Sequence, residues 1–162
     1  MLVFERLSRV HDRSGFDCGE ESLNTYIKQR ASQDIRRRLS TCIVLADNGN
    51  GQILGFYALS VGGLAADSMP AVPRAAKAAR AYGTLPVAVL GRLAVAKEYQ
   101  GRGLSKKLVR HAIYTTLRSP IPVAGLIVDP LDASKASFYE KLGFKALAKG
   151  SNKMILMFES EN

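Results

Sequence analysis

The stretch that decides the fold runs from Leu90 to Arg110 and reads LGRLAVAKEYQGRGLSKKLVR. Its first half belongs to an apolar run, Val87 to Val95, long enough for a buried strand. Tyr99 to Gly103 is a short polar loop with two glycines. From Leu104 to Leu117 apolar residues recur at helical spacing, at Leu104, Leu108, Val109, Ile113 and Leu117, with Thr116 on the same face. A strand, a glycine loop and a helix in that order leave the first N–H groups of the helix without intrahelical partners, and the helix dipole adds partial positive charge there. Such a terminus is an anion site, most often one for phosphate. Arg102, Lys106 and Lys107 place positive side chains beside it.

Two common phosphate loops are excluded by spacing. No Gly-Lys-Ser/Thr closes the loop, and the dinucleotide pattern needs a third glycine and a later acidic residue. The bland alternative is a loosened turn that binds nothing. Gln100-Gly101-Arg102-Gly103-Leu104-Ser105 resembles the pyrophosphate loop of the GNAT N-acetyltransferases, Gln/Arg-x-x-Gly-x-Gly/Ala, with Ser105 at the last small position.

The chain is 162 residues long, which suits a single domain, 1–162, with a proper core. No apolar run is long enough to span a bilayer. The N-terminus mixes acidic and basic residues and has no apolar signal core, so a cytoplasmic location is expected. Cys18 and Cys42 are expected to be free thiols. His11 and His111 are isolated and no Cys-x-x-Cys occurs, so no metal site is expected. Lys and Arg number 23 against 14 Asp and Glu, a surplus of 9. It is concentrated in Lys28–Arg38, Arg74–Arg80 and Arg102–Arg110. Clustered positive charge attracts polyanions; its alternative is a solubilising surface.

Outward from the central stretch, Leu2 to Leu7 reads as a first strand. Gly15 to Gly19 is a turn, and Asp17 or Ser22 is placed to cap the helix that follows. That helix carries Leu23, Tyr26, Ile27, Ala31 and Ile35 on one face. Thr41–Ala46 and Gln52–Val61 form a hairpin about the turn Asp47 to Gly51, and Gly62-Gly63 should end it. Ala65 to Tyr82 reads as a loop with one short basic helix. After the central helix come a strand at Val123–Val128, a helix at Asp132–Leu142 with Gly143 past its end, and two strands at Phe144–Ala148 and Lys153–Phe158. The predicted order is β, α, β, β, insert, β, α, β, α, β, β.

The helix before Gly143 carries the second constellation. The acetyltransferases have Asn-x-x-Ala-x-x-Phe/Leu-Tyr-x-x-x-Gly-Phe here. Phe138, Tyr139, Gly143 and Phe144 match, while Asp132 and Lys135 replace the usual Asn and Ala. On both motifs the chain is identified as a member of the GNAT family over essentially its whole length. The resemblance implies an α/β (α+β) fold with a mixed sheet splayed between strands 4 and 5 and flanked by helices. It implies acetyl-CoA held in that splay, with backbone of Leu93, Ala94 and Val95 along the pantetheine. N–H groups from Gly101, Arg102, Gly103, Leu104, Ser105 and Lys106 would hold the pyrophosphate, and Gln100 and Asp132 fall at the cofactor as well. Tyr139 is implied as the general acid for the departing thiolate. Its alternative is a ring that seals the helix against the sheet. No general base stands out, and water would serve an amine of low pKa.

Phe16-Asp17-Cys18-Gly19, Leu23-Asn24, Gly55-Phe56-Tyr57 and Gly91-Arg92-Leu93-Ala94-Val95 resemble segments of the acetyltransferase toxins of bacterial toxin–antitoxin pairs. Ala96 replaces an acid usual there. This resemblance implies the α-amine of aminoacyl-tRNA as substrate and a block of translation. It also implies a ribbon-helix-helix antitoxin as partner and a homodimer. Arg36, Arg37, Arg38, Arg74, Lys77, Arg80 and Arg92 are the candidates for the tRNA backbone. For Arg92, a strand-end salt bridge stands as the alternative. Two other readings remain open: acetylation of a protein N-terminus or small amine, and a non-catalytic binding module on the same fold.

Overall fold

The computed structural model describes residues 1–65, 77, 81–147 and 151–158. Its strands are β1 (Leu2–Arg6), β2 (Thr41–Asp47), β3 (Ile53–Ala65), β4 (Thr84–Val95), β5 (Gly125–Val128), β6 (Lys145–Ala146) and β7 (Met154–Met157). The helices are α1 (Glu21–Thr25), α2 (Ala31–Arg36), α3 (Leu104–Leu117) and α4 (Ala133–Lys141). A π-helical turn, Tyr26–Arg30, joins α1 to α2, and a 3-10 turn, Lys97–Tyr99, follows β4. The strand order is β1-β2-β3-β4-β5-β7-β6, a mixed sheet in which β4 and β5 run parallel.

The chain divides into two compact units. The first comprises Met1–Ser60 and Gly91–Tyr114. In it β1, β2 and β3 pair antiparallel, with Leu2 opposite Asp47 and Cys42 opposite Ala58. One sheet face presents Cys42, Val44, Ala46, Phe56, Ala58 and Ala94, and on it pack Phe16, Tyr26, Ile27 and Ala31. The other face lies toward α3: Phe4 stacks on His111 at 3.9 Å, and Tyr57 Oη lies 2.8 Å from His111 Nδ1. Covering on both faces is why β2 is a continuous apolar run rather than an alternating one. Gly55 is required by close approach. A Cβ there would stand 2.9 Å from both the Ala94 carbonyl oxygen and Leu108 Cδ1.

The second unit comprises Val61–Leu90 and Thr115–Asn162. Its core is Leu64, Leu85, Val87, Ile127, Leu147 and Ile155. β5 pairs antiparallel with β7, Gly125 opposite Met157 and Val128 opposite Met154. The parallel register of β4 on β5 runs only from Ala88–Leu126 to Leu90–Val128, while β4 continues to Val95.

The predicted order of elements holds, and α3 spans the predicted residues. Three expectations are corrected. Gly62-Gly63 does not end β3, which continues to Ala65. Two glycines weaken a strand by entropy, but here they lie within β3, which neighbours β4 in the sheet, close to Val89 and Thr84. Neither Asp17 nor Ser22 caps the first helix. Glu20 is the N-cap and its carbonyl accepts the N–H groups of Leu23 and Asn24. Asp17 Oδ1 is instead taken by Gly19 N–H and Asn24 Nδ2, and Ser22 lies inside the helix. The last three strands are each shorter than their apolar runs. Of the basic insert, Lys77, Ala81 and Tyr82 are helical; Arg74 and Arg80 lie outside the described residues.

Candidate active site

The glycine loop leaves its backbone open. Gly101 and Gly103 have φ of +78° and +77°, the left-handed region that side chains rarely adopt. A Cβ at either would meet nothing within 4 Å, so the loop backbone borders open space. The first backbone bond at the start of α3 is Lys107 N–H to the Gly103 carbonyl, 3.3 Å. Among the described residues, the N–H groups of Gly101 to Lys106 have no protein acceptor. Arg102, Lys106 and Lys107 are exposed beside them, and Arg102 lies 5.4 Å from the Tyr99 ring centroid. None of the three makes an ion pair among the described residues.

Gln100 differs from its loop neighbours. Its side chain turns back, and Nε2 donates to the Cys18 and Val95 carbonyls, both at 2.9 Å. Its backbone N–H donates to the Lys97 carbonyl at 3.3 Å, so its N–H groups are all used within the protein. Leu93 is half-buried; Ala94 and Val95 are buried. Leu104 anchors the helix start in the core, and Ser105 is half-buried.

In the second unit, Asp132 is the N-cap of α4, and its Oδ1 accepts Lys135 N–H at 2.9 Å. Helix α4 ends at Gly143, φ +98°, which lets Phe144 turn into the core. The Tyr139 ring packs edge-on to Phe138 and Phe144, centroids 5.1 and 5.3 Å away. Burial pushes its phenol up to about 12, so Tyr139 is fully protonated at neutral pH. Among the described residues its hydroxyl has no hydrogen-bond partner.

The basic candidates fall in separate places. Arg36, Arg37 and Arg38 are exposed at the end of α2. Arg38 holds φ +59°, and the bonds Leu39 N–H to Asp34 O and Arg38 N–H to Ile35 O form a Schellman cap around it. Lys77 is exposed. Arg92 makes no salt bridge among the described residues; its guanidinium carbon sits 4.1 Å above the Tyr26 ring centroid. Tyr26 is 1% exposed and comes from the π-helical turn, a device frequent at functional sites. The helical face reading marked Tyr26 as core and missed this second use. Cys18 and Cys42 are free and buried, and burial pushes the Cys42 thiol up to about 12.

Residues 38–146 match the model of the acetyltransferase (GNAT) domain. The chain belongs to the GNAT acetyltransferase family. This GNAT chain is 32% identical over 142 residues to the tRNA-acetylating toxin of Mycobacterium tuberculosis, covering 86% of this chain and 82% of that one. It superposes on AtaT complexed with acetyl-methionyl-tRNAfMet with a TM-score of 0.86 and 29% identity, over 97% of this chain and 95% of that one. A tyrosine-to-phenylalanine AtaT variant bound to the C-terminus of the antitoxin AtaR and to acetyl-CoA gives a TM-score of 0.76 and 26% identity, over 96% and 92%.

Proposed function

We propose that this GNAT chain is an acetyl-CoA-dependent N-acetyltransferase toxin whose substrate is the α-amine of an amino acid esterified to tRNA. The observation that carries this reading is likeness along nearly the whole chain to two proteins, one named for acetylating tRNA and one held with an acetylated aminoacyl-tRNA. We take residues 1–162 as one catalytic domain.

The residues present fit acetyl-CoA. Among the described residues the N–H groups of Gly101 to Lys106 have no protein acceptor and cations flank them, which is the donor set a pyrophosphate needs. When bound, acetyl-CoA supplies an acetyl group activated as a thioester. Backbone groups of Leu93, Ala94 and Val95 align the pantetheine as an added strand would be aligned. The Val95 backbone N–H polarises the acetyl carbonyl, an oxyanion-type contribution. Gln100 acts here through its side chain, which ties the loop to the Cys18 and Val95 carbonyls, and Asp132 through the helix start that it caps. Tyr139, a phenol protonated at neutral pH, gives its proton to the leaving sulfur. An α-amine has a reference pKa of about 8, so about a tenth of it is free base at pH 7, and water takes the proton that this nitrogen loses as the amide forms. Acetylation removes the lone pair that peptide-bond formation needs, and translation stops.

Arg36, Arg37, Arg38, Arg74, Lys77, Arg80 and Arg92 hold tRNA phosphates, and Arg92 shares β4 with Val95. Contact is by charge and shape. The partner is an antitoxin of the ribbon-helix-helix class, the protein works as a homodimer, and it acts in the cytoplasm.

The test uses bulk charged tRNA and radiolabelled acetyl-CoA. Label recovered on the amino acid after mild hydrolysis of its ester supports the reading. Label on protein N-termini or free amines alone, with charged tRNA untouched, overturns the substrate.

A further inference from the structure

We propose that Asn24 is a positioning residue for the cofactor loop, acting through the Cys18 backbone and the Gln100 side chain. The inference rests on the acetyl-CoA reading above and deepens it. Asn24 and Cys18 both precede residue 38, where the match to the family domain begins.

Asn24 is a polar side chain, 5% exposed, on a helix whose other inward residues are apolar. A buried carboxamide is tolerated only when its hydrogen bonds are made. Here both ends serve one turn. Oδ1 accepts Cys18 N–H at 2.9 Å, and Nδ2 donates to Asp17 Oδ1 at 3.0 Å. Asp17 Oδ1 also accepts Gly19 N–H at 2.9 Å, and Gly19 holds φ +91°. The Asp17-Cys18-Gly19 turn is thereby locked.

The locked turn then grips the loop. The Asp17 carbonyl accepts Lys97 N–H at 2.8 Å, and the Cys18 carbonyl accepts Gln100 Nε2 at 2.9 Å. The other hydrogen of Nε2 goes to the Val95 carbonyl, also at 2.9 Å. Gln100 therefore joins the turn to the last residue of β4, one position before the glycine loop. Cys18 is held from both sides, its N–H by Asn24 and its carbonyl by Gln100.

The physical need is clear from the glycines. Gly101 and Gly103 permit the positive φ that aims the N–H groups outward, and they also leave the backbone many other states. Freezing those states on binding costs affinity. A clamp at Gln100 removes much of that freedom beforehand. An apolar residue at position 24 fills the same helical face without holding the turn, so the amide serves geometry rather than burial.

Coenzyme A binding by titration calorimetry on the full chain tests this, with KM for charged tRNA measured alongside. Gln100→Leu and Asn24→Leu should each raise the coenzyme A Kd by about tenfold, roughly the worth of one lost hydrogen bond. KM for charged tRNA should stay within about twofold. The double variant should bind about as well as the weaker single, because both cuts sever one chain of bonds. Gln100→Glu keeps the shape but opposes a carboxylate to two carbonyl oxygens, so it should bind more weakly than Gln100→Leu. A purely structural role lowers the number of binding sites and the melting temperature while Kd holds, and that result overturns the proposal. So do additive losses in the double variant. Should Asn24→Leu not fold, the Gln100 pair decides: Kd within twofold of wild type in both overturns it. If the wild type binds no coenzyme A, the acetyl-CoA reading falls and this proposal with it; if the wild type binds and the variants match it, the clamp alone falls.

Discussion

Replacing Tyr139 by phenylalanine deletes one hydroxyl and leaves the ring contacts with Phe138 and Phe144 in place. Among the described residues that hydroxyl bonds to nothing. The expected stability change is therefore small, within about 0.5 kcal/mol, or a shift in melting temperature under about 2 °C for a chain of this size. The expected rate change is large. Loss of a positioned acid costs about 10²–10⁴-fold, which is roughly 3–5 kcal/mol of transition-state stabilisation. The assay is transfer of label from acetyl-CoA to charged tRNA at saturating concentrations of both, with thermal melting in parallel. The pH profile supplies a second check. Burial pushes the phenol up to about 12, so wild-type kcat should show no falling limb from this group between about pH 7 and 10, where an ordinary phenol with pKa near 10 begins to ionise. The same shift has a stability sign. The folded pKa lies above the ordinary one, so the contribution is complete below about pH 10 and is lost as pH rises toward 12; the phenylalanine variant should lack that alkaline loss. A variant that keeps its rate within about threefold refutes the acid assignment. A wild-type limb near pH 9 that vanishes in the variant refutes the burial argument.

Gly55→Ala should lower stability by about 1–3 kcal/mol through overpacking, because its Cβ meets the Ala94 carbonyl and Leu108 at 2.9 Å; calorimetric melting reads the loss, and KM for acetyl-CoA should rise because the displaced strand is the one beside Val95. Arg92→Lys keeps the charge but loses the planar stack on Tyr26, so KM for charged tRNA should rise several-fold while KM for acetyl-CoA holds; Arg92→Ala should in addition reduce the slope of log affinity against log salt by about 0.7–0.9. Arg38→Gly should move stability and binding in opposite directions: relief of the φ of +59° raises stability by about 1 kcal/mol, seen as a higher melting temperature, while charged-tRNA affinity falls with the lost cation.

Most of the fold was legible because its signals are local. The α3 boundaries follow from the spacing Leu104, Leu108, Val109 and from the glycines before it. Gly143 ends α4 because only a residue tolerant of φ +98° turns the chain there. Asn-Gly in the hairpin is equally local. The expectations that failed depended on competition between distant groups. Gly62-Gly63 looks like a break in isolation, yet it lies within a strand that neighbours β4. Asp17 looks like a cap, yet Asn24 and Gly19 take its carboxylate.

The sequence by itself determined the order of elements, the glycine loop with its flanking cations, and the motif that carries Tyr139. Each is set by periodicity and backbone conformation within a few residues, so spacing alone encodes it. Tertiary structure alone decided that Arg92 lies on Tyr26. It also decided that Gln100 faces the protein, and that the Tyr139 phenol is pushed up. Those outcomes depend on which of several possible partners arrives first within hydrogen-bonding or stacking distance and on how much water is left around them. Strand register and helix packing set both, and no short stretch of sequence contains either.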